Sequence, residues 1–251
     1  LLDVDDNPAG EGEVSLNLAV RPLGLMVGYE DSAQVTANVM REAAKAIRNL
    51  MVTGVLSSLA LGASADPWRV AARLSAHGEA MAGCWFEAQA ASGHWPTPSA
   101  IHDPLSLRMT AQVFGACTQA LTEAAQAIRA ETAHVDDNPV VMDGRVVTSG
   151  GSLLLSLSMR LASVQLALAH LARNTLNRCL LMVNGQLEGL PVNLVPPGVV
   201  ATGYGPVMKL ALEQSVRVTD AANPVSVLNL AVAAGLEDEA VFIALSAERI
   251  G

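Results

Sequence analysis

Small aliphatic residues recur at every third or fourth position through three long stretches of this chain, and that period commits most of it to helix. Val35, Val39, Ala43, Ile47, Leu50 and Gly54 or Val55 mark the first stretch, with Arg41, Lys45 and Arg48 among its polar positions. A helix is expected over residues 32–61. Val113, Cys117, Leu121, Ala124 and Ile128 mark the second, which the acidic stretch 131–137 closes before Asn138-Pro139. The third, residues 152–183, includes the most apolar run of the chain, Leu153 to Leu171, yet holds Arg160, Gln165, His170 and several serines. A lipid-facing span rarely tolerates such residues, so a buried helix is expected and a membrane is not. Alanine, leucine and valine dominate while aromatics make up 3% of the 251 residues, which suits a helical core of small side chains.

Between the long helices the punctuation is clear. Residues 1–31 carry Asp6-Asn7-Pro8, Gly10, Gly12, Pro22, Gly24 and Gly28 and read as an irregular segment before a helical-bundle domain, 32–251. A short helix is expected from about Pro67 to Gln89, followed by the loop His94-Trp95-Pro96-Thr97-Pro98. Val140-Val141-Met142 and Arg145-Val146-Val147 flank Asp143-Gly144, the pattern of a tight hairpin whose glycine accepts a positive φ. A Gly- and Pro-rich loop over 184–203, a helix over 204–221, a break at Asn223-Pro224 and a last helix near Leu236 complete the expectation. The fold class is therefore all-α, a bundle of long antiparallel helices with one small β-hairpin.

Charge and cysteine content narrow the function. A net charge of −9 argues against nucleic acid and anionic membranes. Cys84, Cys117 and Cys179, widely spaced, read as free thiols in a reducing compartment, and the acidic, turn-forming start is unlike a signal peptide, so cytoplasm is expected. The chain does not begin with methionine and its last helical pattern runs into Gly251, as in a fragment or one half of a split protein. No metal-ligand constellation is evident, and Gly10-Glu11-Gly12 lacks the strand-to-helix setting of a phosphate loop.

One motif carries chemistry. His102-Asp103-Pro104-Leu105-Ser106-Leu107-Arg108, followed by Gln112-Val113-Phe114-Gly115-Ala116, resembles the Gln-Asp-Pro-Tyr-Ser-Leu-Arg signature of the aromatic amino acid ammonia-lyases, the histidine, phenylalanine and tyrosine type. In the same order Val135 to Pro139 resembles the Thr-Asp-Asn-Pro loop of that family, Ser149-Gly150-Gly151 its Ser-Gly-Gly-Asn-Phe-His segment, Leu190-Pro191 its Leu-Pro-Pro loop, and Leu236-Glu237-Asp238-Glu239 its Gln-Glu-Asp-His. The resemblance implies an oligomer, homomeric or heteromeric, of tetrameric lyase type. It also implies carbon–nitrogen elimination from an amino acid by means of methylidene imidazolone, formed when an internal Ala-Ser-Gly cyclises.

What the resemblance implies for individual residues is uneven. Arg108 matches the arginine that binds the substrate carboxylate, a role suited to a planar guanidinium. His102 stands for the glutamine, as a hydrogen-bonding or acid/base group or a surface histidine. Glu237 matches a base or amine-contacting glutamate, though with Asp238 and Glu239 it equally reads as a solvated helix start. Leu105 occupies the tyrosine position, and Ser152, Leu153 and Leu154 replace Asn-Phe-His, leaving aliphatic groups where polar and aromatic ones are usual; Leu105, Ser152 and Leu153 are the remaining candidate substrate contacts. Ala63-Ser64-Ala65-Asp66 is rejected as the electrophile, because alanine stands where cyclisation favours glycine, and a turn or helix cap is expected instead. No cofactor is therefore expected from within the chain. Three functions stay open: one part of an ammonia-lyase-like enzyme whose electrophile lies on a partner chain or segment, a non-catalytic scaffold or regulator of such an enzyme, or other chemistry on a carboxylate substrate in the same cavity.

Overall fold

The computed structural model describes residues 29–97, 102–133, 138–151, 153–185, 189–225, 227 and 241–251, with side chains from residue 35 onward. Its helices are α1 (Tyr29–Ala60), α2 (Asp66–Leu74), α3 (His77–Ala91), α4 (Leu105–Arg108), α5 (Thr110–Ala133), α6 (Leu155–Val183), α7 (Gly205–Ala221) and α8 (Ile243–Ile250). The hairpin strands are β1 (Val140–Met142) and β2 (Arg145–Val147). The all-α bundle is thus observed, with one hairpin among the described residues. The expected last helix near Leu236 begins outside the described residues.

Packing divides the chain into two units: residues 45–119 with 166–222, and residues up to 44 with 120–165 and 223–251. Helices α1, α5 and α6 each give one part of their length to either unit. In the first unit five aromatic rings meet. Trp68 stacks on Phe86 at 5.1 Å and meets Trp95 edge-on at 5.0 Å, Trp85 meets Phe86 edge-on at 5.1 Å, and Phe114 lies 5.5 Å from Phe86. The scarce aromatic content is therefore concentrated where it returns most, each ring burying a large apolar area and gaining from edge-to-face geometry. The second unit is aliphatic, built on Ala37, Met40, Leu121, Ile128, Leu157, Leu161 and Val164. There α8 is tied to the rest by side chains of α6, Ser158 donating to the Val241 carbonyl and Gln165 to that of Ser246.

Two expectations need adjusting. On α1 the buried stripe runs through Ala37, Met40, Ala43, Ile47 and Met51, while Val35 is exposed; the period is right and its phase at the first turn is not, because which neighbour a helix faces is absent from its own pattern. The helix expected over 67–89 is broken at Ser75 and Ala76, both extended (ψ 169° and 164°). The break lets α3 fold back on α2 so closely that a Cβ on Gly83 would lie 2.5 Å from the Ala72 nitrogen. Burial of Trp68 and Phe86 between the two helices offsets the lost helical hydrogen bonds.

The hairpin pairs Val140 with Val147 and Met142 with Arg145. Both of its turn residues, Asp143 (φ 53°) and Gly144 (φ 72°), are left-handed, as a two-residue turn of this twist requires. Helix α6 is long and apolar enough to cross a membrane, but Ser158, Gln165, Asn174 and Arg178 form part of its buried face, as in a core helix carrying polar contacts.

Two expected outcomes follow from this packing. A Cβ on Gly115 would lie 2.5 Å from Glu79 Cα and 2.7 Å from its nitrogen, so only backbone movement relieves the clash. Alanine there gains about 1 kcal/mol of helix propensity but overpacks at a cost of about 1–3 kcal/mol; since the obstacle is backbone, Gly115→Ala is expected to lower the urea midpoint. Cys117 is buried, its thiol donating to the Ala167 carbonyl at 3.3 Å, and burial pushes its pKa up to about 12. Because the thiolate is the reactive form, iodoacetamide at pH 8 is expected to label exposed Cys84 and to spare Cys117 until the chain is unfolded, as read by peptide mass spectrometry.

Candidate functional site

The motif that resembled a catalytic signature folds as a single helical turn held from three directions. Pro104, extended at ψ 147°, presents its carbonyl to the amides of Leu107 and Arg108 and so starts α4. Leu107 is the inward anchor of this turn, 3% exposed, and its carbonyl accepts from the Thr110 hydroxyl at 2.7 Å. From α6, Asn174 Nδ2 donates to the Ser106 carbonyl at 2.9 Å. From the segment before α2, the Ser64 amide donates to Asp103 Oδ2 at 2.8 Å. A four-residue helix has no cooperative stability of its own, so these contacts decide where its side chains stand.

Arg108 leaves this turn half-buried. Its Nε donates to the Asp103 carbonyl at 2.7 Å, which fixes the plane of the guanidinium, and neither terminal nitrogen has a partner among the described residues. A guanidinium oriented through Nε with its other donors unspent is chemically able to take a carboxylate by charge-assisted hydrogen bonds. His102 and Leu105 accompany it, both exposed, Leu105 at 59%. Leu105 offers no polar atom, so no proton transfer or hydrogen bond can come from that position. Leu153 lies exposed in the other unit. Ser152 and Glu237 lie outside the described residues.

Ala63-Ser64-Ala65 has its backbone committed to a helix start. The Ala63 amide donates to the Ser58 carbonyl and the Ala63 carbonyl accepts from Trp95 Nε1 at 2.8 Å. Ser64 Oγ accepts from the Asp66 amide at 3.1 Å, and the Ala65 carbonyl accepts from the amides of Trp68 and Arg69. With alanine third and these groups occupied, the tripeptide does not fit a precursor of methylidene imidazolone, and the turn expected from the sequence is what forms. Beside it a cleft of about 230 Å³ is lined by Ser64, Asp66, Arg69, Glu87 and Trp95. Its charges satisfy one another: Arg69 pairs with Asp66 at 3.1 Å and with Glu87 at 3.7 Å, and Arg73 pairs with Glu87 at 3.0 Å.

Asn174 was not visible as a site residue from the sequence. The available signal was the polar series Asn174, Thr175, Asn177 and Arg178 inside a helix otherwise rich in Leu and Ala. Of these Asn174 and Arg178 are buried and Asn177 is exposed; a buried polar group needs a partner, and for Asn174 the partner is the carbonyl of the motif turn.

The model of a family described as aromatic amino acid lyase matches residues 19–251. Histidine ammonia-lyase of Vibrio cholerae serotype O1 is 31% identical over 152 residues, 60% of this chain and 30% of that enzyme. Among solved structures, the ergothioneine-degrading ergothionase of Treponema denticola superposes with a TM-score of 0.78 at 21% identity over 87% of this chain and 46% of that one. Histidine ammonia-lyase of Trypanosoma cruzi superposes at 0.74 with 21% identity, over 87% of this chain and 42% of that one. The chain thus spans less than half the length of these relatives. On the match of the family model across residues 19–251, together with the helical fold and the ordered motifs, this chain belongs to the aromatic amino acid lyase family.

Proposed function

We propose that this chain supplies the carboxylate-binding part of a carbon–nitrogen lyase acting on an amino acid, with the methylidene imidazolone contributed by another segment or chain of an oligomeric, cytoplasmic enzyme. The observation that carries the reading is Arg108, whose Nε is spent on the Asp103 carbonyl while its terminal donors are unpartnered among the described residues. The named activity of the histidine ammonia-lyases that this chain matches over 60% of its length is consistent with it. Elimination of ammonia is difficult because the β-proton is barely acidic and an amine leaves poorly, so fixing the substrate by its carboxylate is worth much of the barrier. Within this reading His102 is a hydrogen-bonding group and Leu105 a substrate contact beside Arg108, while Glu237 as base or amine contact and Ser152 and Leu153 as substrate contacts are what the family resemblance implies.

A second reading, a non-catalytic homologue that organises a catalytic chain, is favoured by one observation: the position usual for tyrosine holds Leu105, exposed and without a polar atom. Replacement of Arg108 separates the two. In the enzyme assembled with its electrophile-bearing part, Arg108→Met is expected to lower kcat/KM for the amino acid roughly 100-fold, the value of a lost charge-assisted pair, with the circular-dichroism melt unchanged. Equal turnover by wild type and variant would remove Arg108 from the site. Native mass spectrometry is expected to show a companion containing Ala-Ser-Gly, with a near-ultraviolet difference band from the imidazolone; an electrophile-free homo-oligomer that is inert toward amino acids would favour the scaffold.

A further inference from the structure

Arg178, on α6 in the first unit, is 2% exposed, and its Nε and Nη1 have no hydrogen-bond partner among the described residues. Gly54 explains how the group fits: a Cβ there would stand 3.1 Å from Nη1, 3.3 Å from a Phe86 ring carbon and 3.4 Å from one of Phe114. The guanidinium therefore lies on bare α1 backbone, bounded by two rings. Thr175 and Asn174, one turn earlier on the same face of α6, carry a hydroxyl and an amide oxygen that are likewise buried and unpartnered. One face of α6 thus carries three side chains with buried, unspent polar atoms, one of them a positive charge.

The charge cannot be shed. Burial lowers the pKa of Arg178, yet a guanidinium stays protonated in proteins where a lysine would neutralise. A buried cation therefore demands an anion, and an arginine beside a hydroxyl matches a planar two-oxygen acceptor. The ring carbons so close to Gly54 admit only a small one. We propose that Arg178, assisted by the Thr175 hydroxyl, is the cationic centre of an internal site in the first unit that binds a small carboxylate. This site involves Arg178 rather than Arg108 and does not depend on the function proposed for Arg108.

The test is a thermal midpoint of the whole chain in sodium formate against sodium chloride at equal ionic strength, for wild type, Arg178→Met and Arg108→Met. Formate is expected to raise the Tm of wild type and of Arg108→Met by about 2–4 °C through preferential binding to the folded state. Arg178→Met, freed of an unpaired buried charge, is expected to melt at or above wild type in chloride and to lose most of the formate response, keeping only the part that half-exposed Arg108 contributes. The proposal is overturned if formate moves Arg178→Met as much as wild type, or if it moves neither. It is equally overturned if Arg108→Met alone loses the response, which places the carboxylate at the motif turn. Destabilised, formate-insensitive Arg178→Met beside an insensitive wild type would mean an ion pair internal to the protein, again against the proposal. Should Arg178→Met not fold, calorimetric titration with formate decides: at least about ten-fold weaker binding by Arg178→Lys supports the site, and equal binding overturns it.

Discussion

Direct backbone contact between helices is the constraint on which the first unit rests. Gly115 of α5 lies against the backbone of Glu79 on α3, and Gly83 of α3 lies against that of Ala72 on α2. Neither contact survives a side chain larger than hydrogen. With α2, α3 and α5 drawn this close, Trp68, Phe86 and Phe114 can form one continuous cluster, which a chain so poor in aromatics could not achieve by spreading them. Trp95 extends the cluster and anchors the Ala63 carbonyl through its indole nitrogen. The packing core and the loop that precedes α2 are thereby one construction.

That construction positions the motif turn. Asp103 is held by the Ser64 amide of the loop, Ser106 by Asn174 of α6, and Leu107 by burial. Arg108 is aimed by these contacts, since its own Nε reaches only as far as the Asp103 carbonyl. The family's helical fold persists in this chain, while Leu105 and Leu153 stand where the resemblance leads one to expect aromatic and polar side chains. Backbone-forming residues answer to the fold, whereas pocket residues answer to whatever chemistry the site performs, so the two sets diverge independently.

Helix type and approximate length were legible because the apolar period of α1, α5 and α6 is set by the helix itself. The hairpin was legible because Asp143-Gly144 meets a local steric demand. The family resemblance singled out Arg108, and nothing in the local pattern alone would have done so. Asn174 and Arg178 were not singled out, since a polar residue in a long helix reads the same whether it faces water or a neighbour's carbonyl. The break at Ser75 and Ala76 escaped for a similar reason: neither residue forbids helix, and the turn exists because α3 gains more by returning onto α2 than by continuing.

By itself, then, the sequence determined the long helices and where the Asp143-Gly144 hairpin turns, for these follow from local sterics and period. The tertiary structure alone decided which face of α1 is buried, how α2 and α3 fold together, and what holds Ser106 and Asp103 in place. It also decided that Arg178 lies sealed against Gly54 with donors to spare. Those outcomes depend on which distant residues come within a few ångströms, a property of the packed chain that no local period encodes.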